Sequence, residues 1–183
     1  MVAYNSVLDI EFNDGAITEP VNLSEAKNFC KVDISTDDAL ITSLIVAARQ
    51  MCEAYTGVGF VEHEITAILN NENGGIYLPY GPIVSITSVV DKDGTTLILD
   101  TNYTVSGNQF IRLLTPKEND ITVNYIGGYS TLPEPLKLAV LNQVYYTYDQ
   151  RSQSVYFVSD PRNERFDQLG PIAKMLLNPY RRV

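Results

Sequence analysis

The chain has 183 residues, 45% hydrophobic and 19% charged, which suffices for one real hydrophobic core and excludes disorder by composition. Its formal net charge of -9 at pH 7 argues against a sequence-independent grip on nucleic acid, which needs a basic face to release counterions, and the one cationic cluster is Arg181-Arg182. Neither a signal peptide nor an apolar run of membrane length is read, which predicts a protein made in cytosol with no membrane partner.

Residues 1–18 alternate weakly, Val7, Ile10 and Phe12 standing between Asp9, Glu11 and Asp14, and then turn at Asn13-Asp14-Gly15, as an arm or an edge strand would. Residues 19–57 read as a helical hairpin. Its first helix starts near Asn22 or Ser24 and spaces Leu23, Ala26, Phe29, Cys30 and Val32 to lean on the second. The second carries Leu40, Ile41, Leu44, Ile45, Ala47, Ala48, Met51, Cys52 and Tyr55 at three- and four-residue steps, so one broad face is oily and must be buried. Ser35 or Thr36 is placed to cap it, Asp37 and Asp38 set negative charge against its positive end, and Gly57 stops it.

After Gly57-Val58-Gly59 the period changes. Ile65, Ala67 and Leu69 alternate with Glu64, Thr66 and Ile68, and Asn70 to Gly75 reads as a loop. Pro79 and Pro82 make the stretch from Ile76 an extended edge. Ile83 to Val90 is rich in β-branched residues, turns at Asp91-Lys92-Asp93-Gly94 and returns over Thr95 to Leu99. Tyr103 to Ser106 and Gln109 to Leu113 form another pair around Gly107-Asn108, and Ile121, Val123 and Tyr125 a last strand before Gly127-Gly128. Residues 60–127 are thus expected as an antiparallel β unit inserted between helices.

Pro133 and Pro135 open a third helix, residues 134–151, where a missing amide costs little. Leu136, Val140 and Val144 form one stripe, and Leu138, Leu141, Tyr145 and Tyr148 another. Either one stripe meets the chain's own helices and the other a neighbouring subunit, or this is the central helix of a single core. Residues 152–167 lose the pattern, and after Gly170-Pro171 a short helix from Ile172 to Leu177 stops at Asn178-Pro179. The expected class is α+β: a helical hairpin, a third long helix and a short C-terminal helix around an inserted antiparallel β unit, in a single domain over residues 1–183. Residues 152–183 are expected as a mobile segment and a tail.

Chemistry is not legible in these residues. His63 has no nucleophile motif around it and reads as a solvent-facing strand histidine. No serine elbow, phosphate loop or paired-histidine metal site is present, so no catalytic residue, cofactor or metal is assigned. Asp91-Lys92-Asp93-Gly94 lacks the later oxygen ligands of a calcium loop and reads as a turn. Cys30 and Cys52 share no metal spacing and read as buried thiols. Tyr145, Tyr146, Tyr148, Tyr156 and Phe157 lack the interleaved cations of a base-stacking surface.

The ordered set Glu19-Pro20-Val21-Asn22-Leu23-Ser24-Glu25-Ala26-Lys27, Val32-Asp33, Asp37-Asp38-Ala39-Leu40-Ile41, Ala47-Ala48-Arg49 and Glu53-Ala54-Tyr55-Thr56-Gly57 resembles the opening of the head-tail connector, or adaptor, proteins of long-tailed bacteriophages. Leu78-Pro79-Tyr80-Gly81-Pro82-Ile83, Val123-Asn124-Tyr125-Ile126-Gly127-Gly128-Tyr129 and Leu176-Leu177-Asn178-Pro179-Tyr180-Arg181 extend the resemblance over nearly the whole chain. It implies a structural virion protein: a homo-oligomeric ring, typically dodecameric, placed under the portal protein after DNA packaging and linking head to a stopper or tail-completion protein. Genomic DNA would pass through its channel without specific binding. Carried onto these residues, Met175, Leu176, Leu177, Pro179, Tyr180, Arg181 and Arg182 would face the portal. Leu40, Ile41, Leu44, Ile45, Ala48, Met51, Leu136, Val140, Leu141, Val144, Tyr145 and Tyr148 would supply core or ring contacts. Another neck component, a stopper or tail-terminator, is the rival reading, and a small cytosolic enzyme a remote one.

Overall fold

The structure, a computed structural model, describes residues 7–15, 17–70, 75–107, 109–115, 120–150 and 169–182. The chain divides into two compact units, one from segments 1–18, 57–131 and 182–183, the other from 19–56 and 132–181. The expectations for residues 1–6, 71–74, 108 and 151–167 lie outside the described residues.

In the helical unit, α1 (Leu23–Cys30) begins with a capping box. The Asn22 side chain accepts the Glu25 amide at 2.9 Å while the Glu25 carboxylate accepts the Asn22 amide at 3.0 Å, so two amides that helix geometry orphans are satisfied reciprocally. Lys31, in the left-handed region at φ 55°, ends the helix. The long helix α2 (Asp38–Thr56) buries Ile41, Ile45, Ala48 and Cys52, a set of three- and four-residue steps, and gives way at Gly57 with φ +68°, a conformation that favours glycine. The acid pair at its start does more than face the helix dipole. Asp38 takes the Lys27 ammonium at 2.6 Å, and Asp37 accepts the Tyr148 hydroxyl.

Helix α3 (Glu134–Gln150) packs on α1, α2 and α4 (Pro171–Leu177), and α4 runs into a single 3-10 turn, Asn178–Tyr180. Leu136, Ala139, Val140, Val144, Ala173 and Leu177 are each fully buried. At about 1.5–3 kcal/mol for each large side chain, this burial outweighs what helix propensity alone supplies.

The β unit contains β1 (Val7–Phe12), β2 (His63–Leu69), β3 (Gly75–Tyr77), β4 (Ile83–Asp91), β5 (Thr104–Ser106), β6 (Arg112–Leu114) and β7 (Ile121–Gly127). Four of them form a sheet in the order β1-β2-β7-β4 and three form a second in the order β3-β6-β5, all pairs antiparallel. The register sets Ile65 against Tyr125, Ala67 against Val123 and Leu69 against Ile121. These six, with Ile76, Val89 and Leu113, form the core of the unit, and the Tyr125 hydroxyl reaches the Pro79 carbonyl at 2.9 Å. The other face of the larger sheet carries a polar chain: Asn13 donates to Thr66, Thr66 to Asn124 and Asn124 to Ser88.

Three expectations change. Thr95 to Leu99 makes bridging bonds, Leu97 to Val89 and Asp91 to Thr95, without becoming a strand, because the chain turns off at Ile98, whose carbonyl accepts Asn102 and whose amide donates to the Asn102 side chain. The strand placed at Gln109 to Leu113 lies at Arg112–Leu114. His63 is not solvent-facing: it is 4% exposed.

Candidate functional site

The residues singled out by sequence fall into distinct environments. On α2, Ile41, Ile45 and Ala48 are buried, Leu44 and Met51 are half-buried, and Leu40 is 41% exposed. On α3, Leu136, Val140, Val144 and Tyr148 are buried, Leu141 is half-buried, and Leu138 and Tyr145 are 41% and 45% exposed. The second stripe of α3 is therefore divided: Tyr148 turns inward to Asp37, while Tyr145 stands outward with its ring edge on Phe29 at a centroid distance of 6.4 Å. Pro135, Leu138, Leu141 and Leu176 line a shallow groove rimmed by Glu25, Glu134 and Lys137.

The C-terminal residues also divide. Met175 is 64% exposed and Pro179, Arg181 and Arg182 are exposed, Leu176 and Tyr180 are half-buried, and Leu177 is fully buried in the helical core. The segment is held to α2 by Tyr55, whose hydroxyl donates to the Asn178 side chain at 2.7 Å and whose ring lies 5.1 Å from the Arg181 guanidinium, a cation–π geometry.

Two polar clusters escaped the sequence reading. Arg49, 3% exposed, sends Nε and Nη2 to Glu19 at 2.8 and 3.1 Å and Nη1 to Glu53 at 2.7 Å. Burial works to lower its pKa, and the two carboxylates more than reverse this, leaving it raised. A guanidinium so enclosed organises the start and the third turn of the hairpin but offers nothing to a ligand. The Arg49 and Glu53 pair was visible as an i, i+4 spacing.

His63 is the second. Its Nδ1 bonds Asp14, which also accepts the Glu64 amide at 2.8 Å, and the Phe12 ring meets the imidazole edge-on at 5.0 Å. The histidine fastens the Asn13-Asp14-Gly15 turn to β2. The signal was present in its parity, since residue 63 shares a strand face with Ile65, Ala67 and Leu69.

Asp91 spends its carboxylate on the amides of Asp93 and Thr95, at 2.9 and 2.8 Å, in a hairpin turn. Cys30 and Cys52 are free thiols. Among the described residues no cluster of His, Cys, Asp and Glu is arranged to hold a metal, and no helix is long and apolar enough to cross a membrane. Tyr146 is half-buried, and Tyr156 and Phe157 lie outside the described residues.

An all-antiparallel β unit joined to a four-helix unit, with apolar side chains left outward on both, defines an α+β protein whose visible assets are surfaces. The chain belongs to the head completion protein family, whose model matches residues 19–183. No curated protein matches it. Among solved structures it is similar to a chain in the virion of a native gene transfer agent particle, with 16% identity, 95% of each chain covered and a TM-score of 0.71. It is also similar to a chain in the neck of an empty gene transfer agent particle computed with C6 symmetry, with 16% identity, 96% of each chain and a TM-score of 0.72. A third, in the neck of the native particle computed with C12 symmetry, has 17% identity, 94% of this chain and 96% of that one, and a TM-score of 0.64. At these identities the likeness is one of fold.

Proposed function

We propose that this chain is a structural neck protein of a tailed virus or virus-like particle, assembling as a homo-oligomeric ring that joins the portal of a filled head to the stopper and tail. The observation that carries this reading is the family match over residues 19–183. Two of the structural relatives are chains of gene transfer agent necks, computed with C6 and C12 symmetry, and this supports it.

The surface chemistry is consistent with it. A closed ring needs a heterologous contact, two different patches that fit each other. The outward residues of α2 and α3, Leu40, Leu44, Leu138, Leu141 and Tyr145, are an apolar resource for that contact, while Met175, Pro179, Tyr180, Arg181 and Arg182 are the portal-facing candidates. The β unit holds eleven of the acidic residues and four of the basic ones, a net of -7 out of -9, so DNA sliding past it would be repelled and not gripped.

The testing experiment is a pull-down with purified portal and, separately, purified tail tube. Binding to portal, weakened by deleting residues 175–183, is expected. Firm tail-tube binding without portal binding would move the chain to a stopper or tail-terminator role, and complete infectious particles without the protein would overturn the reading.

A further inference from the structure

Arg112 on β6 is a cation whose hydrogen-bonding capacity is unspent. Its Nε is buried with no partner, and its guanidinium lies 5.6 Å from the centroid of the Tyr77 ring. No ion pair reaches it among the described residues, although this unit's sequence holds eleven acidic residues against four basic ones. The seat is shaped for it on the other side as well. Gly75 leaves the space that the head occupies, since a Cβ there would come within 2.3 Å of Nη2 and 2.6 Å of Nε. A planar donor fork, held by a ring and a bare glycine, is the arrangement that recognises a carboxylate bidentately. Around it Tyr77 and Leu114 are 46% and 39% exposed.

The same unit displays the complementary surface. Strand β1 is an edge of the larger sheet and presents Asp9 and Glu11 between Leu8 and Phe12, which are 56% and 43% exposed. The Asp9 carboxylate is partly engaged by the Ile10 amide at 2.9 Å, whereas the Glu11 carboxylate makes no hydrogen bond or ion pair among the described residues. A long, apolar, charged edge of this kind is either protected against pairing or reserved for one partner.

We infer that Arg112 of one copy, with the exposed Tyr77 beside it, receives the β1 carboxylates of the next copy, Glu11 foremost, which pairs in register with Thr66 on the polar face of its sheet. The inference rests on the ring reading and gives it a specific contact between two unlike patches, the kind that closes by rotation. Because Nε is closed over, the carboxylate meets the guanidinium from its Nη side.

The experiment is sedimentation velocity of the full chain over a concentration series, with circular dichroism melts as the folding control. Arg112→Glu and Glu11→Arg should each stay folded and raise the concentration for half-assembly by about tenfold or more, and the double variant should restore assembly. Gly75→Ala, which keeps every charge and displaces the head from its seat, should weaken assembly as well. If the unaltered chain forms rings and the folded single variants form them equally well, the Arg112 contact is wrong and the ring reading stands. If the unaltered chain does not assemble alone or with portal, both fail.

Discussion

The Gln143 side-chain oxygen accepts the backbone N–H of Gly170 at 2.7 Å, both residues being buried. Gln143 sits in the middle of the apolar stripe of α3, and its amide nitrogen donates to Thr147 at 3.1 Å. This one polar residue therefore fixes where α4 begins. Gln143→Leu keeps the volume but leaves the Gly170 amide without its acceptor, which should cost about 1–3 kcal/mol. Urea unfolding gives the loss, and faster hydrogen exchange across α4 should accompany it.

Leu44 and Ile45 are neighbours with different fates. Ile45 is 3% exposed and Leu44 is half-buried. Ile45→Asp should cost several kcal/mol through a buried, unpaired charge. Leu44→Asp should cost much less in the isolated chain and, if the outward side of α2 is a ring contact, should impair assembly more than folding. Thermal unfolding beside sedimentation separates the two effects.

Acid should loosen the tie between α1 and α3. The Lys137 ammonium, hydrogen-bonded at 2.6 Å, and then the Asn22 amide hold Glu25 below its ordinary pKa of 4.5. A depressed carboxylate contributes stability that is present above 4.5 and is lost as pH falls through its folded value. Lys137 is raised above 10.5, chiefly by the bond to Glu25, so its contribution is present below 10.5 and lost as pH rises beyond its folded value. Glu25→Gln should flatten the acid side of a stability-against-pH curve and leave the capping geometry in place.

Burial, with a smaller push from Glu53, carries the Cys52 thiol up to about 12, and burial also raises the half-buried Cys30. The thiolate is the reactive form. In the folded protein at neutral pH, Cys52 should resist a thiol reagent that labels it fully in denaturant, and Cys30 should react faster than Cys52.

What the residues revealed in advance depended on how local the cause was. The burial of Ile41, Ile45, Ala48 and Cys52 follows from helical spacing, and that of Ile65, Ala67 and Leu69 from alternation, because each pattern resides in consecutive residues. The inward side of His63 follows from that same alternation, whereas its partner Asp14, 49 positions away along the chain, could not be read from its neighbours. Strands β3, β5 and β6 have three residues each, too few for a period to declare itself, and their separation into a second sheet follows only from pairing. The candidate surfaces were harder still. An apolar position on α2 or α3 does not state whether it faces Ala139 of its own core or another molecule, and the exposure of Leu138 and Tyr145 emerges only once the helices are packed.

The central claim is that copies of this chain close into a ring at a particle's neck, and averaging images of necks from particles that contain it tests this directly. The account predicts a belt of density between portal and tail into which the two units fit, repeated by rotational symmetry and missing from particles made without the gene. Necks with no such belt, or a belt left unchanged when the gene is removed, would contradict it.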